Sequence, residues 1–221
     1  MRTRPYTACL LALAFQCAGC VFPWTAHKLD RPNPEARVIL VRGLAGYWPG
    51  ALPLSNQLKR CGIDNLVVFG CETREVGCAL AQEGGCPGDD SPIVIVGYSL
   101  GANDAIKICR GLDDSGIQVA SLILIDCPYH DTIPPNVERC LNIYRSRPYT
   151  DWIPMFRGLP VDAECGETDL ENLNVRWDEL ECAPWTHNHF TICASGAIHD
   201  VVADEIQAAV DGWNDGQACG F

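Results

Sequence analysis

From residue 37 onward, short apolar runs alternate with segments in which apolar residues recur at helical spacing. The runs RVILV at 37–41, IVIV at 93–96 and SLILI at 121–125 are apolar at almost every position and rich in β-branched residues. A strand with one solvated face would alternate apolar and polar residues, so these runs indicate strands buried on both faces. Strands or strand ends are predicted on this basis at residues 36–43, 64–70, 92–97, 118–126, 137–146, 171–177 and 189–192.

Amphipathic helices are predicted between these strands. The segment after residue 99 presents Ala102, Ile106 and Cys109 on one helical face, as a helix packed against a sheet does. Alternation of such helices with strands that are apolar throughout is typical of a largely parallel sheet covered on both faces. The predicted fold class is therefore α/β, a three-layer sandwich with a mostly parallel central sheet, formed by residues 37–221 as one domain. The other predicted helices cover residues 54–62, 72–85 and 199–213.

The first twenty residues have the features of an export leader. Two arginines precede an apolar run at residues 8–15, and small residues precede Cys20. That run is too short to span a bilayer, so residues 1–20 are predicted as a leader and the protein as exported. The sequence CAGC at 17–20 resembles the lipobox of bacterial lipoproteins, in which a lipidated cysteine attaches the protein to the cell envelope. Attachment through Cys20 and ordinary secretion are both open, and residues 21–36 are predicted as a tether.

The overall charge excludes one class of partner. The chain of 221 residues has a formal net charge of -12 at pH 7. A surface of this sign repels phosphate backbones, so general nucleic-acid binding is not expected.

The 14 cysteines are interpreted through the predicted export. No C-x-x-C pair is followed by a second pair or by histidines at zinc-finger spacing, so a structural zinc site is not expected. In an exported chain, cysteines in loops or at element ends favour disulfides, whereas those in apolar runs favour buried thiols. Disulfides are predicted for Cys61, Cys71, Cys78, Cys86, Cys165, Cys182 and Cys219, and buried thiols for Cys109, Cys127, Cys140 and Cys193.

A serine flanked by glycines follows the apolar run at 93–96. The sequence is GYSLG at 97–101, and it leads directly into a predicted helix. A strand that must turn at once into a helix needs a backbone too tight for side chains at the flanking positions, and glycine satisfies this need. Such a turn lifts the hydroxyl of Ser99 out of the sheet and places the next backbone N–H at a helix N-terminus. Ser99 is therefore a candidate nucleophile.

Four short motifs occur in a characteristic order. They are RGL at 42–44, GYSLGA at 97–102, IDCP at 125–128 and PNV at 135–137. In this order the chain resembles the serine lipases and esterases of the α/β-hydrolase superfamily, and more closely the small bacterial lipase-like hydrolases, over residues 37–212. The resemblance implies a compact α/β-hydrolase fold with a catalytic triad. The chain departs from many relatives in having arginine and tyrosine, at positions 42 and 98, where they have histidine.

The histidine of that triad follows the acid in chain order. Of the five histidines, His187, His189 and His199 occur late enough in the sequence. His189 lies ahead of the last helix, where the resemblance places the base, and it is the predicted general base. His187 as a loop residue, and His199 as a cap or solvated residue, are the weaker candidates.

The predicted acid is Asp126, at the end of the strand that follows the helix after Ser99. Ligands and reactive groups collect at the carboxyl ends of strands in open parallel sheets. A simple turn aspartate before Cys127 is the alternative interpretation. Asp151, after the next strand, is the second candidate for the acid, with Asp162 and Asp178 behind it.

The resemblance also implies an oxyanion hole made by backbone N–H groups. The expected donors are Leu100, directly after the nucleophile, and Leu44, in the loop after the first strand. Aromatic and methionine side chains in the loops are interpreted as acyl-pocket, lid or core residues: Tyr47, Trp48, Trp152, Met155, Phe156 and Trp185.

The sequence thus predicts a serine hydrolase that cleaves carboxylic esters of lipids or small molecules. Ser99 would attack the carbonyl, His189 would transfer the proton, and Asp126 would orient the imidazole. No metal and no organic cofactor is implied. Two alternatives stay open: thioester cleavage or acyl transfer by the same groups, and a non-catalytic binding protein of the cell envelope that keeps the fold.

Overall fold

A computed structural model describes residues 37–84, 91–146, 152–153, 157–175 and 188–218. The predicted leader and tether, including Cys20, lie outside the described residues. So do three of the alternative triad candidates, Asp151, Asp178 and His187.

Up to residue 125, strands and helices alternate in the predicted manner. The helices are α1 (Ala51–Arg60), α2 (Thr73–Gly84), α3 (Leu100–Asp113), α4 (His189–Ile192) and α5 (Gly196–Ala218), with short 3-10 turns at Leu44–Gly46 and Gly70–Glu72. The strands are β1 (Arg37–Val41), β2 (Asn65–Val68), β3 (Ile93–Tyr98), β4 (Val119–Ile125), β5 (Thr132–Ile133), β6 (Val137–Tyr144), β7 (Asp162–Ala163) and β8 (Asp169–Asn174).

The central sheet of the described part of the chain has six strands in the order β2-β1-β3-β4-β6-β8. Every neighbouring pair in it is parallel. Strands β5 and β7 form a separate parallel pair. Because all six strands run in one direction, the segments that follow β1, β3 and β4 emerge at the same edge of the sheet.

Helices cover both faces of this sheet. On one face, Leu54 and Leu58 of α1 and Val202 of α5 pack in a cluster with Leu40 of β1 and Val96 of β3. On the other face, α2 and α3 pack on the alternate residues of the same strands, such as Ile39 and Ile95. All residues of β1, β3 and β4 are buried, which explains the continuous apolar runs. The predicted three-layer sandwich and α/β-hydrolase-type fold are confirmed.

The segment at 189–192 differs from its prediction: it is a short helix, α4, and not a strand. Asn188 caps it, since its side-chain oxygen accepts hydrogen bonds from the backbone N–H groups of Phe190 (2.9 Å) and Thr191 (3.2 Å). The Thr191 hydroxyl accepts one in return from the backbone N–H of Asn188 at 2.8 Å. This reciprocal capping outweighs the strand preference of the aromatic and β-branched residues.

The predicted disulfides are not found at the described positions Cys61, Cys78 and Cys165, which are free thiols. The three lie on different elements: Cys61 at the end of α1, Cys78 within α2, and Cys165 between β7 and β8. A disulfide requires two Cβ atoms about 4 Å apart, a condition that sequence position does not reveal. Cys109, Cys127, Cys140 and Cys193 are buried free thiols, as predicted.

Within the described residues, no helix combines the length and apolar character needed to cross a bilayer.

Candidate active site

Ser99 lies at the sharp turn between β3 and α3. Its backbone φ is 56° and ψ is −126°, a left-handed conformation that is strained for any residue with a Cβ atom. A Cβ atom added to Gly97 would lie 2.5 Å from the Gly101 carbonyl oxygen and 2.6 Å from the Ala102 Cα. Only glycine at this position lets the helix start so close to the strand.

The first turn of α3 also packs against the end of β1. A Cβ atom on Gly101 would lie 2.4 Å from the Val41 carbonyl oxygen and 2.5 Å from that of Arg42. The chain after β1 then passes the serine, since a Cβ atom on Gly43 would lie 3.1 Å from the Ser99 Cβ. Two close backbone approaches therefore bring the loop at Leu44–Gly46 beside Ser99.

Asp126 directly follows β4 and is 1% exposed. Its backbone φ is 54°, and its own N–H donates to the Ile143 carbonyl at 2.7 Å. The carboxylate Oδ1 accepts a hydrogen bond of 3.0 Å from the backbone N–H of Arg145. A Cβ atom on Gly158 would lie 2.0 Å from this oxygen, so the chain closes tightly over the carboxylate.

His189, the first residue of α4, lies between Ser99 and Asp126. Its Nε2 is 2.8 Å from Ser99 Oγ, and its Nδ1 is 2.6 Å from Asp126 Oδ2. All three side chains are buried. The structure thus brings together the three side chains singled out as nucleophile, base and acid, although their positions in the chain are far apart.

Tyr98 supports the imidazole, a contact that the sequence did not reveal. Its hydroxyl donates to the His189 carbonyl at 2.6 Å, and its ring stacks on the imidazole with centroids 5.5 Å apart. Tyr98 is completely buried, and this burial raises the pKa of its phenol above the ordinary value, so the hydroxyl stays a donor.

The carbonyl of Cys193 fixes the other end of the histidine segment, residues 188–193. It accepts hydrogen bonds from Trp48 Nε1 at 3.2 Å and from His199 Nε2 at 3.0 Å. It also lies so close to Gly50 that a Cβ atom there would be 1.7 Å away. Burial raises the pKa of the Cys193 thiol to about 11, so the thiol is neutral at physiological pH.

Two of the alternative triad candidates have other partners. His199 is 5% exposed and hydrogen-bonded to the Cys193 carbonyl, so the prediction that it is a cap or solvated residue was wrong. The reason is that α5 packs its first turn against the histidine segment and not against solvent. Asp162 is exposed, and its carboxylate lies 3.0 Å from His130 Nε2.

The predicted oxyanion-hole residues, Leu44 and Leu100, lie next to Ser99. Leu44 begins the 3-10 turn after β1, and Leu100 is the first residue of α3, where backbone N–H groups have no acceptor within the helix. Both residues line a cavity of about 90 Å³ together with Ser99 and His189. The rings of Tyr47, Tyr98 and Phe190 complete its lining.

The loop aromatic residues divide between core and surface. Trp48 is 5% exposed and belongs to the core, whereas Tyr47 lines the cavity. Trp152 is exposed, and Met155, Phe156 and Trp185 lie outside the described residues.

The arrangement has the groups needed for acyl transfer. A hydroxyl, an imidazole and a buried carboxylate form one hydrogen-bonded chain, and a helix N-terminus faces the cavity beside the hydroxyl. In the part of the chain that the structure describes, no group of three or more His, Cys, Asp or Glu side chains could hold a metal ion.

Comparisons with known proteins give a partial family match. Residues 80–140 match the family model of a thioesterase domain; this segment includes Ser99 and Asp126 but not His189. No curated protein matches the chain. Among solved structures, the chain is similar to the RedJ thioesterase of the prodiginine biosynthetic pathway in Streptomyces coelicolor, with a TM-score of 0.47 and 12% identity, over 85% of this chain and 98% of that one. The family match covers 61 of the 221 residues, less than half of the chain, so the activity that it suggests is a proposal.

Proposed function

We propose that this protein is a serine hydrolase that cleaves a carboxylic ester or thioester through a Ser99–His189–Asp126 triad. The observation that carries the proposal is the continuous hydrogen-bonded chain from Ser99 Oγ through both imidazole nitrogens to Asp126, at 2.8 Å and 2.6 Å. A serine hydroxyl is a poor nucleophile at neutral pH and needs such a base to remove its proton.

The reaction has two halves. His189 Nε2 accepts the Ser99 proton as Oγ bonds to the substrate carbonyl carbon, and the carbonyl oxygen becomes an oxyanion held by the N–H groups of Leu44 and Leu100. The carbon–oxygen or carbon–sulfur bond then breaks, and the imidazolium gives its proton to the departing alcohol or thiol. Water, deprotonated by His189, attacks the acyl-enzyme, and the acid leaves as the proton returns to Ser99.

Asp126 acts through His189. Its Oδ2 accepts from Nδ1 and so keeps the unprotonated lone pair on Nε2, facing Ser99,. The carboxylate is almost fully buried, where an imidazolium formed beside it is stabilised more strongly than in water. The backbone N–H of Arg145 donates to its second oxygen, so both oxygens of the buried carboxylate have a hydrogen-bond partner.

The leaving group is an alcohol or a thiol. The partial match to a thioesterase domain supports keeping thioesters among the proposed substrates beside oxygen esters. The same triad can break either bond, since the developing charge on the carbonyl oxygen is the same. Rates for an oxygen ester and a thioester with the same acyl group would separate the two activities.

Fluorophosphonate labelling tests the proposed function. An activated serine reacts with the probe, so the wild-type protein is expected to be labelled, and the Ser99→Ala variant is expected to be unlabelled and inactive. Ser115→Ala, at an exposed serine at the end of α3, is the matched control and should label like wild type. A folded wild-type protein that fails to label, or a Ser99→Ala variant that labels normally, would refute the proposal and favour the non-catalytic alternative.

A further inference from the structure

We infer that the site accepts short acyl groups, of up to about five carbons including the carbonyl carbon, and that Tyr47 and Phe190 set this limit. The inference rests on the proposed function and names the class of substrate that the same site takes. Its basis is the size of the cavity at Ser99 and the aromatic contact that borders it.

The cavity is small. Its volume is about 90 Å³, whereas a dry cavity of about 150 Å³ in another protein holds one benzene molecule. By proportion, the space at Ser99 holds about three or four carbon atoms beyond the carbonyl that reacts. A long lipid chain is larger than this space.

Two half-exposed aromatic rings form one wall of this cavity. Tyr47 comes from the segment after Leu44 and Phe190 from α4, next to His189. Their centroids are 5.9 Å apart at an interplanar angle of 83°, an edge-to-face contact that stabilises a pair of rings. Both rings line the cavity, so they connect the segment after Leu44 to the histidine segment across Ser99.

Further ring contacts hold this wall in place. Phe190 packs edge-to-face on the His189 imidazole, with centroids 5.6 Å apart, and Tyr47 packs against Tyr98 at 6.4 Å. Because the wall rests on the imidazole and on the residue that supports it, displacing a ring to admit a longer chain would break contacts at the reactive groups. The cost of this displacement discriminates against long acyl chains.

The exposure of the two rings agrees with a binding role. Tyr47 is 45% exposed and Phe190 is 46% exposed, and an aromatic surface beside a reactive serine is buried when an acyl group enters. Tyr129 is similarly exposed, at 42%, but it does not line this cavity, so it provides a matched control.

The test measures kcat and KM for p-nitrophenyl acetate, butyrate, hexanoate and octanoate, each below its aggregation concentration. The wild-type protein is expected to prefer acetate or butyrate, with kcat/KM at least tenfold lower for octanoate, since each excluded methylene costs about tenfold or more. Phe190→Ala is expected to raise the octanoate-to-acetate ratio of kcat/KM about tenfold, mainly through KM. Tyr47→Ala should act in the same direction, and Tyr129→Ala should leave the ratio unchanged.

Each outcome decides the inference. A wild-type preference for octanoate, or an unchanged ratio in both wall variants, would overturn it while the proposed function stands. If neither p-nitrophenyl esters nor the fluorophosphonate probe reacts with Ser99, the proposed function fails as well. Should Phe190→Ala not fold, as judged by circular dichroism, Tyr47→Ala and the wild-type chain-length profile still give the answer.

Discussion

The nucleophile turn and the histidine segment are held in place by opposite means. In the nucleophile turn, residues 97–101, a Cβ atom added to Gly97 or Gly101 would lie only 2.4 to 2.6 Å from neighbouring backbone atoms. The turn therefore depends on the absence of side chains at these two glycines. At residues 188–193, position depends on side-chain hydrogen bonds from Asn188, Tyr98 and Trp48. The first region should therefore fail when atoms are added, and the second when polar atoms are removed.

Asp126 joins the two regions, and its replacement should lower activity more than any change to the contacts that support either region. In Asp126→Asn, Oδ1 can still accept from the backbone N–H of Arg145, so the fold should persist. The amide favours the wrong imidazole tautomer, and the equivalent change in a well-studied serine protease lowers kcat about 10⁴-fold. Steady-state kinetics on a p-nitrophenyl ester would measure the loss.

Asp162→Asn is the control for this change, because its carboxylate is exposed and pairs with His130. It should retain wild-type kcat. An Asp126→Asn variant that loses less than tenfold in kcat would assign the acid to another residue.

Adding one methyl group at Gly97 should break the nucleophile turn. The new Cβ atom would meet the backbone of Gly101 and Ala102, which cannot move without displacing α3, so we expect a loss of about 3 kcal/mol in the free energy of unfolding. Urea denaturation measures this change. Gly111→Ala, within α3, is the control. The Cβ atom of this alanine would meet nothing within 4 Å, and the change should stabilise the protein by about 0.5–1 kcal/mol. Equal effects at the two glycines would contradict the steric explanation.

The same contrast explains what the sequence could and could not predict. The central sheet and the turn at Ser99 follow from local patterns: continuous apolar runs and glycines at fixed positions. Helix α4 was predicted as a strand because the capping by Asn188 depends on hydrogen bonds that outweigh residue preference. The short strands β5 and β7 have two residues each, too few for a periodic pattern to reveal them.

Contacts between residues far apart in the chain could not be predicted from the sequence either. Tyr98 supports a carbonyl 91 positions later in the chain, and no local pattern indicates that partner. The PNV motif shows the converse: the Asn136 side chain donates to the carbonyls of Cys109 (3.0 Å) and Ile117 (2.8 Å). That asparagine ties the end of α3 to the start of β4, so this part of the resemblance reflects the fold and not the chemistry.

Removing the Tyr98 hydroxyl should weaken the histidine segment. Tyr98→Phe keeps the ring stacked on the imidazole but leaves the buried His189 carbonyl without this donor, at a cost of about 1–2 kcal/mol in stability. If the misplaced imidazole carries a similar cost in the transition state, kcat falls about tenfold while KM stays the same. Thermal unfolding and steady-state kinetics measure the two effects. A stability loss with unchanged kcat would mean that Tyr98 only supports the fold.

The smallest effect is expected at the cap of α4. Asn188→Ala removes the acceptor for the backbone N–H groups of Phe190 and Thr191, which typically costs about 1 kcal/mol. Because His189 is the next residue, fraying of this turn should lower kcat a few-fold, again with little change in KM. Asn188→Ser restores a good capping oxygen and should recover most of the activity, which a general loss of packing would not do. If serine rescues neither stability nor kcat, hydrogen bonding at the cap does not position the imidazole, and the contrast between the two regions depends only on the hydrogen bonds from Tyr98 and Trp48.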